Sequence, residues 1–322
     1  MNDQEVRHLF EPLYDDIKPD AQFYNTRPLL AHYTTIETIE KIISSKELWF
    51  SNPLYMNDIE EVRFGLIEAD GLIRSSKIIS DACATPNRTS TFLTAFADYS
   101  RNYIENHLAD TYVFCLSEHE RNDDDGLLSM WRGYDGNGDG AAIVIDTAKI
   151  NNLPTSPLVL ARVEYGTTQE RRDWLATLIS KFGAILGAKN LPQEQLHVAA
   201  CALLDRVKLF ALFSKHKGFA EEREWRIVYM RDRDQTKVFD PMFGYLTGLR
   251  GIEAKLKFKI AHHPGATAED LSLAKMVDLI ILGPSISSPM AATAFKRMLT
   301  QHGEPALASR VSASTIPFRH RI

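Results

Sequence analysis

The residues best suited to chemistry lie in one short stretch, Glu221-Glu222-Arg223-Glu224-Trp225-Arg226-Ile227-Val228-Tyr229. Read as a strand, its alternate residues share a face. Trp225, Ile227 and Tyr229 then form a buried apolar face, and Glu222, Glu224 and Arg226 line the other. Two carboxylates so spaced repel one another, which favours holding a proton on one of them. Such a pair can divide substrate orientation from acid–base work. The same residues also fit a solvated strand edge, with Glu224 paired to Arg226 and little energy at stake.

Three other stretches carry reactive or binding groups. His32-Tyr33-Thr34 ends an apolar run, where an imidazole can donate to a ribose hydroxyl and a phenol ring can stack on a flat heterocycle. Asn57, Asp58, Glu60 and Glu61 could supply hard oxygens for a divalent ion, but a turn and helix cap explains them without function and is the favoured account. Trp131, Arg132 and Tyr134 suit a stacking surface or an ordinary packed helix. His262-His263 and the acids 123–125 read as loop features. Cys83, Cys115 and Cys201 are scattered and odd in number, which argues against a disulfide framework and suits a reducing cytoplasm.

The elements that must position these groups follow from periodicity. Residues 1–27 read as a leader: a short helix, then a polar connector. An apolar strand is expected at 29–33. Thr34-Thr35 offers an N-cap, and Ile36, Ile39, Ile42 and Ile43 mark one face of a helix. Strands are expected at 48–50, 111–116, 141–145, 158–165, 222–230, 252–260 and 279–282, with 158–165 paired near 141–145. Helical blocks fill 59–110 and 168–215, interrupted at Thr85-Pro86-Asn87 and at Asn190-Leu191-Pro192. A helix at 290–300 and a weakly patterned tail close the chain. The order predicts an α+β domain over 28–289: a mixed or antiparallel central sheet with large helical insertions. No GxGxxG follows the first strand and no P-loop sequence occurs, which argues against a dinucleotide or mononucleotide fold of those types.

Composition sets the outer limits. The 322 residues carry 37 Lys+Arg against 42 Asp+Glu, a formal charge of -5, which excludes a generic basic nucleic-acid binder. No apolar run approaches the roughly 18 residues that would span a bilayer. The N-terminal segment lacks a basic region followed by an apolar core, so no signal peptide is expected.

The order of motifs resembles a known family. Strand, His32-Tyr33-Thr34, helix, Leu48-Trp49-Phe50-Ser51-Asn52-Pro53, Asn57-Asp58, Cys115-Leu116-Ser117-Glu118, Met130-Trp131 with Tyr134, Glu222-x-Glu224-Trp225-Arg226 and Ile281-Leu282-Gly283-Pro284 are similar to the bacterial and phage-borne domain-of-unknown-function family 2971. More distantly, the strand–His32-Tyr33-Thr34–helix opening and the Glu222-x-Glu224 close resemble the ADP-ribosyltransferase fold. That resemblance implies an NAD-consuming enzyme, a mono-ADP-ribosyltransferase or NAD glycohydrolase of the kind used as toxins in phage defence. His32 would hold the NAD ribose. Glu224 would bind the nicotinamide-ribose 2′-hydroxyl and stabilise the oxocarbenium-like transition state. Glu222 would orient the acceptor, which is a protein, nucleic acid, small molecule or water. Tyr33 or Tyr134 would stack on nicotinamide, and Thr34, Ser51 and Arg226 would complete the NAD contacts. The middle Ser-Thr-Ser motif of that fold is missing, with Ser51 and Ser117 as candidates. An antitoxin or defence-system partner, but no membrane, fits this class. Two other readings remain open: a metal-dependent hydrolase or nuclease using Asp58, Glu60 and Glu61, and a non-catalytic nucleotide- or protein-binding module.

Overall fold

A computed structural model describes residues 1–16, 28–56, 59–134, 140–150, 155–248 and 251–317, the side chains of 59–61 excepted. The first strands are β1 Leu29–Thr35, β2 Glu47–Ser51, β3 Thr111–His119, β4 Gly140–Asp146, β5 Leu158–Arg162 and β6 Glu164–Gly166. They are followed by β7 Ser214–His216, β8 Glu224–Met230, β9 Phe243–Gly248, β10 Gly251–Lys259, β11 Val277–Leu282 and β12 Val311–Ala313. By contacts the chain divides into two compact units. No described helix is long and apolar enough to cross a membrane.

The first unit gathers Met1–Asp20, Asn52–Thr111 and Val163–Phe219. It is helical apart from the short parallel pair β6–β7. The helix Leu196–Phe213 is apolar nearly all round and buried along its length, which marks it as the unit's central rod. Against it lies the helix Ile59–Arg74, and here a glycine is required: a Cβ on Gly65 would meet the Ala211 Cα at 2.7 Å. The stretch Thr85-Pro86-Asn87 starts a helix rather than breaking one. The Thr85 side chain accepts from Arg88 N, and Pro86 opens the helix Pro86–Asn102. Asn190, left-handed at φ 42°, ends the helix Thr168–Lys189.

The second unit, Ala21–Ser51, Tyr112–Arg162 and Ala220–Ile322, holds a ten-stranded open sheet. Its main order is β12-β11-β4-β1-β3-β2-β10-β9, with β8 on β3 and β5 on β8. The ladders β1–β3, β1–β4, β2–β3, β2–β10, β9–β10, β4–β11 and β5–β8 are antiparallel, and β11–β12 is parallel. The expected α+β class with a largely antiparallel sheet and helical segments is therefore observed. One pairing differs: β5 lies on β8, with Leu160 opposite Ile227, and not beside β4. Local pattern gives a strand's existence but not its neighbour. β9 and β12 lacked a sequence signal, the first being a Gly-containing run and the second only three residues.

Alternation distributes side chains to two cores. The larger contains Leu30, Phe50, Phe114, Leu116, Ile143, Trp225, Tyr229, Phe258 and Ile280. The helix Ile36–Ser45 covers part of this face with Ile39, Ile42 and Ile43, capped by Thr35 accepting from Thr38 N. The helix Pro289–Gln301 adds Phe295 and Leu299. The smaller core, on the opposite face, contains Leu29, Ala31, Tyr33, Met130, Trp131, Ala142 and Val144. β4 is buried at every position because both cores use it.

Candidate functional site

The sheet is unevenly joined at β3. β1 pairs with β4 over its whole length but with β3 only from Leu29 to Ala31, opposite His119 to Ser117. β2 meets β3 at the single pair Ser51–Val113. Beyond Ala31 the side chain of His32 takes over from the ladder. Its Nδ1 lies 3.0 Å from the Cys115 carbonyl, and its ring stacks on Phe114 at 4.3 Å. Burial pushes the imidazole pKa below its ordinary value, opposed by that hydrogen bond.

At the C-terminal end of β3 the chain is tied to the start of β8. The Ser117 hydroxyl donates to the Glu222 carbonyl at 2.5 Å, and Glu118 N donates to the Arg223 carbonyl at 2.9 Å. Trp225 Nε1 donates to Glu118 Oε2 at 3.2 Å, and Arg223 reaches Glu120 at 3.0 Å. Arg223 itself is left-handed, φ 44°. That conformation is unfavourable for a side-chain-bearing residue and is held here by the bonds on both sides.

The left-handed residue corrects the expected strand. Glu222 ends a 3-10 turn, Lys217–Glu222, and regular alternation begins only at Glu224. Glu222 is half-buried and does not continue the Glu224–Arg226 row. Glu224 and Arg226 do share a face, opposite Trp225 and Tyr229. They form a two-pronged pair, Arg226 Nε to Glu224 Oε1 at 2.7 Å and Nη2 to Oε2 at 3.1 Å. The pairing was legible; its setting was not. Both side chains are buried, 3% and 2% exposed, rather than solvated.

Register assigns the other candidates. Trp225, Glu118 and Phe114 lie on the larger-core side, and His32 stacks there. Glu224 and Arg226 therefore project from the face opposite His32, the face that Ser117 and Ala31 share. Tyr33 is also on that face but is packed. Its ring stands edge-on to Trp131 at 4.8 Å, its hydroxyl accepts from Leu127 N at 3.0 Å, and burial pushes its pKa up to about 12. Gly126, at φ 74°, fits beneath it because a Cβ would come within 2.9 Å of the phenol oxygen. Trp131 donates to the Asp125 carbonyl at 2.9 Å. The Tyr33 ring is thus committed to packing rather than presented to a ligand. Thr34 is half-buried on β1, and Tyr134 is exposed just after the helix Leu128–Gly133.

Ser51 has a partner that sequence reading did not foresee. Lys255, opposite it in register on β10, donates to its hydroxyl at 2.9 Å and pairs with Glu253 at 2.9 Å. Asn57 and Asp58 lie outside the described residues, as do the side chains of Glu60 and Glu61. Among the described residues no group of three His, Cys, Asp or Glu could hold a metal.

Residues 130–227 match the family described as Protein of unknown function (DUF2971). The matched segment contains Trp131, Tyr134, Ser117's partner Glu222, and the Glu224–Arg226 pair, while His32 and Ser51 precede it. The resemblance to family 2971 is supported over that segment. No curated protein matches the chain, and no solved structure matches it.

Proposed function

We propose that the chain consumes NAD by ADP-ribosyl transfer or glycohydrolysis, on an ADP-ribosyltransferase-like fold, at the sheet face that carries Glu224. The observation that carries this reading is the buried Glu224 carboxylate gripped by Arg226 at a sheet end. A buried ion pair is a poor stabiliser against apolar residues of the same volume. Its presence beside a left-handed residue marks a place where charge has a use. Cleavage of the C1′–N bond sends the bonding pair to nicotinamide and leaves positive charge on the ribose. A carboxylate in low dielectric stabilises that charge strongly. The acceptor then bonds C1′ and gives up its proton. In this reading Glu222, Ser51 and Tyr134 are secondary contacts, while Thr34, which alternation puts on the His32 face of β1, is not one of them. His32 acts from the other face by holding the Cys115 carbonyl, and so the course of β3.

The test is nicotinamide release from NAD, with Glu224→Gln as the paired variant. Glu224→Gln removes the negative half of a buried fork, so Glu224→Gln/Arg226→Gln serves as a charge-balanced companion, and thermal melting checks both for folding. Wild type should release nicotinamide and the folded variants should lose on the order of 100-fold or more. A folded variant turning NAD over at the wild-type rate would overturn the proposal. So would a wild-type protein that neither releases nicotinamide nor binds NAD in a calorimeter.

A further inference from the structure

His119 ends β3 and is 6% exposed. Its Nδ1 is buried and has no hydrogen-bond partner among the described residues. Buried ring nitrogens are nearly always paired, so an orphan of this kind requires an explanation. Position supplies one. His119 stands two residues beyond Ser117 on the same strand, hence on the same face, and opposite Leu29 in register. That face also carries Glu224 and Arg226, while His32 looks the other way. The backbone bond from Glu118 to Arg223 sets the start of β8 beside this end of β3.

We infer that His119, not His32, is the imidazole that meets the ligand on the Glu224 face, with Nδ1 as its hydrogen-bonding atom. This rests on the NAD reading above, and the ligand group it would take is a ribose hydroxyl. The Ser117 hydroxyl is occupied by the Glu222 carbonyl. Glu224 and Arg226 hold each other. His119 Nδ1 is a buried polar atom of this row with no hydrogen-bond partner among the described residues.

Two variants separate function from packing. His119→Phe removes the orphan atom and keeps a flat ring. His119→Asn keeps a polar atom near the Nδ1 position. Each is melted, and each is titrated with NAD in a calorimeter. The inference expects His119→Phe to melt no lower than wild type yet to bind NAD at least 10-fold more weakly, with His119→Asn within a few-fold of wild type. Unchanged NAD affinity in a folded His119→Phe would overturn it and make the orphan a water-paired structural atom. If His119→Phe fails to fold, the imidazole nitrogen resonances of wild-type His119 decide: a shift on adding NAD supports the inference, and no shift overturns it. Wild type that binds no NAD removes the NAD reading and this inference together. Wild type and all variants binding alike removes only the inference.

Discussion

Two arginine–glutamate forks in this chain have almost the same shape and opposite consequences. In the helical unit, Arg172 Nε and Nη2 reach Glu68 at 2.8 and 2.9 Å, with the side chains 45% and 23% exposed. In the sheet unit, Arg226 reaches Glu224 at 2.7 and 3.1 Å, with both side chains shut away from solvent. Water screens the first pair and competes for its bonds, so its formation changes little. The second has lost its hydration, and the two charges compensate one another in its place. Burial, and not bond geometry, sets what a fork contributes, and a fork kept where apolar residues would serve stability as well points toward use.

The largest effect follows from breaking the buried fork. Arg226→Ala or Glu224→Ala should each cost about 3–5 kcal/mol by denaturant titration, because each removes one half of a buried, hydrogen-bonded charge pair. Replacing both at once, Glu224→Leu with Arg226→Met, should return most of that stability while nicotinamide release stays lost. A double variant as unstable as either single one would show that the fork is a structural necessity, and the contrast between the two forks would lose its functional meaning.

A neutral buried group gives a smaller step. Tyr33→Phe leaves the Leu127 N–H without its acceptor and should cost about 1 kcal/mol. The phenol's pKa is raised from 10.0 to about 12 by burial, so the neutral form is the one the fold favours. That contribution is complete below pH 10 and is lost as pH rises toward 12. Burial pushes Tyr229 and Tyr99 up as well, so absorbance titration should show several tyrosines ionising above the exposed ones, and Tyr33→Phe should remove the share that titrates near pH 12.

His32 tests the opposite face by acid. Its pKa is held below the ordinary 6.5 by burial, so the folded state favours neutral imidazole while the unfolded chain takes up a proton near 6.5. Stability from this source is full above 6.5 and falls as pH drops through the folded value. The gap between wild type and His32→Gln in urea midpoint should therefore narrow from pH 7.5 to pH 5.5. A gap indifferent to pH would mean that the imidazole is solvated and does not bridge to Cys115.

How much of this could be read in advance divides along the same line. The apolar runs of β1, β3, β4 and β11 and the isoleucines of 36–43 announce themselves, since their periods match the elements that they form. The Glu224–Arg226 pairing is visible as a two-residue spacing. Its burial is not, because alternation separates two faces without saying which of them meets water. The Glu222-x-Glu224 row is lost to the left-handed Arg223, and a non-glycine at positive φ leaves no sequence mark. His119 falls in the polar stretch after the strand expected at 111–116, and only the structure, which extends β3 to it and leaves its Nδ1 without a partner among the described residues, draws notice to it. Likewise, the partner of Ser51 sits 204 residues away on β10, a distance that local pattern cannot span.

The exposed fork completes the series with the smallest change. Arg172→Ala should shift the denaturant midpoint only slightly, and less in high salt, since both side chains keep contact with water. The Glu68 carboxyl lies below its ordinary 4.5, chiefly through the hydrogen bond from Arg172, so whatever the fork adds is present above pH 4.5 and fades as acid protonates the carboxylate. Denaturant midpoints of wild type and Arg172→Ala should therefore converge below that pH and at 1 M salt. The buried fork should show no such salt response, because counterions do not reach it. If Arg172→Ala instead cost as much as Arg226→Ala and ignored salt, exposure would not be the variable that separates the two forks, and the burial of Glu224 would no longer point to a function.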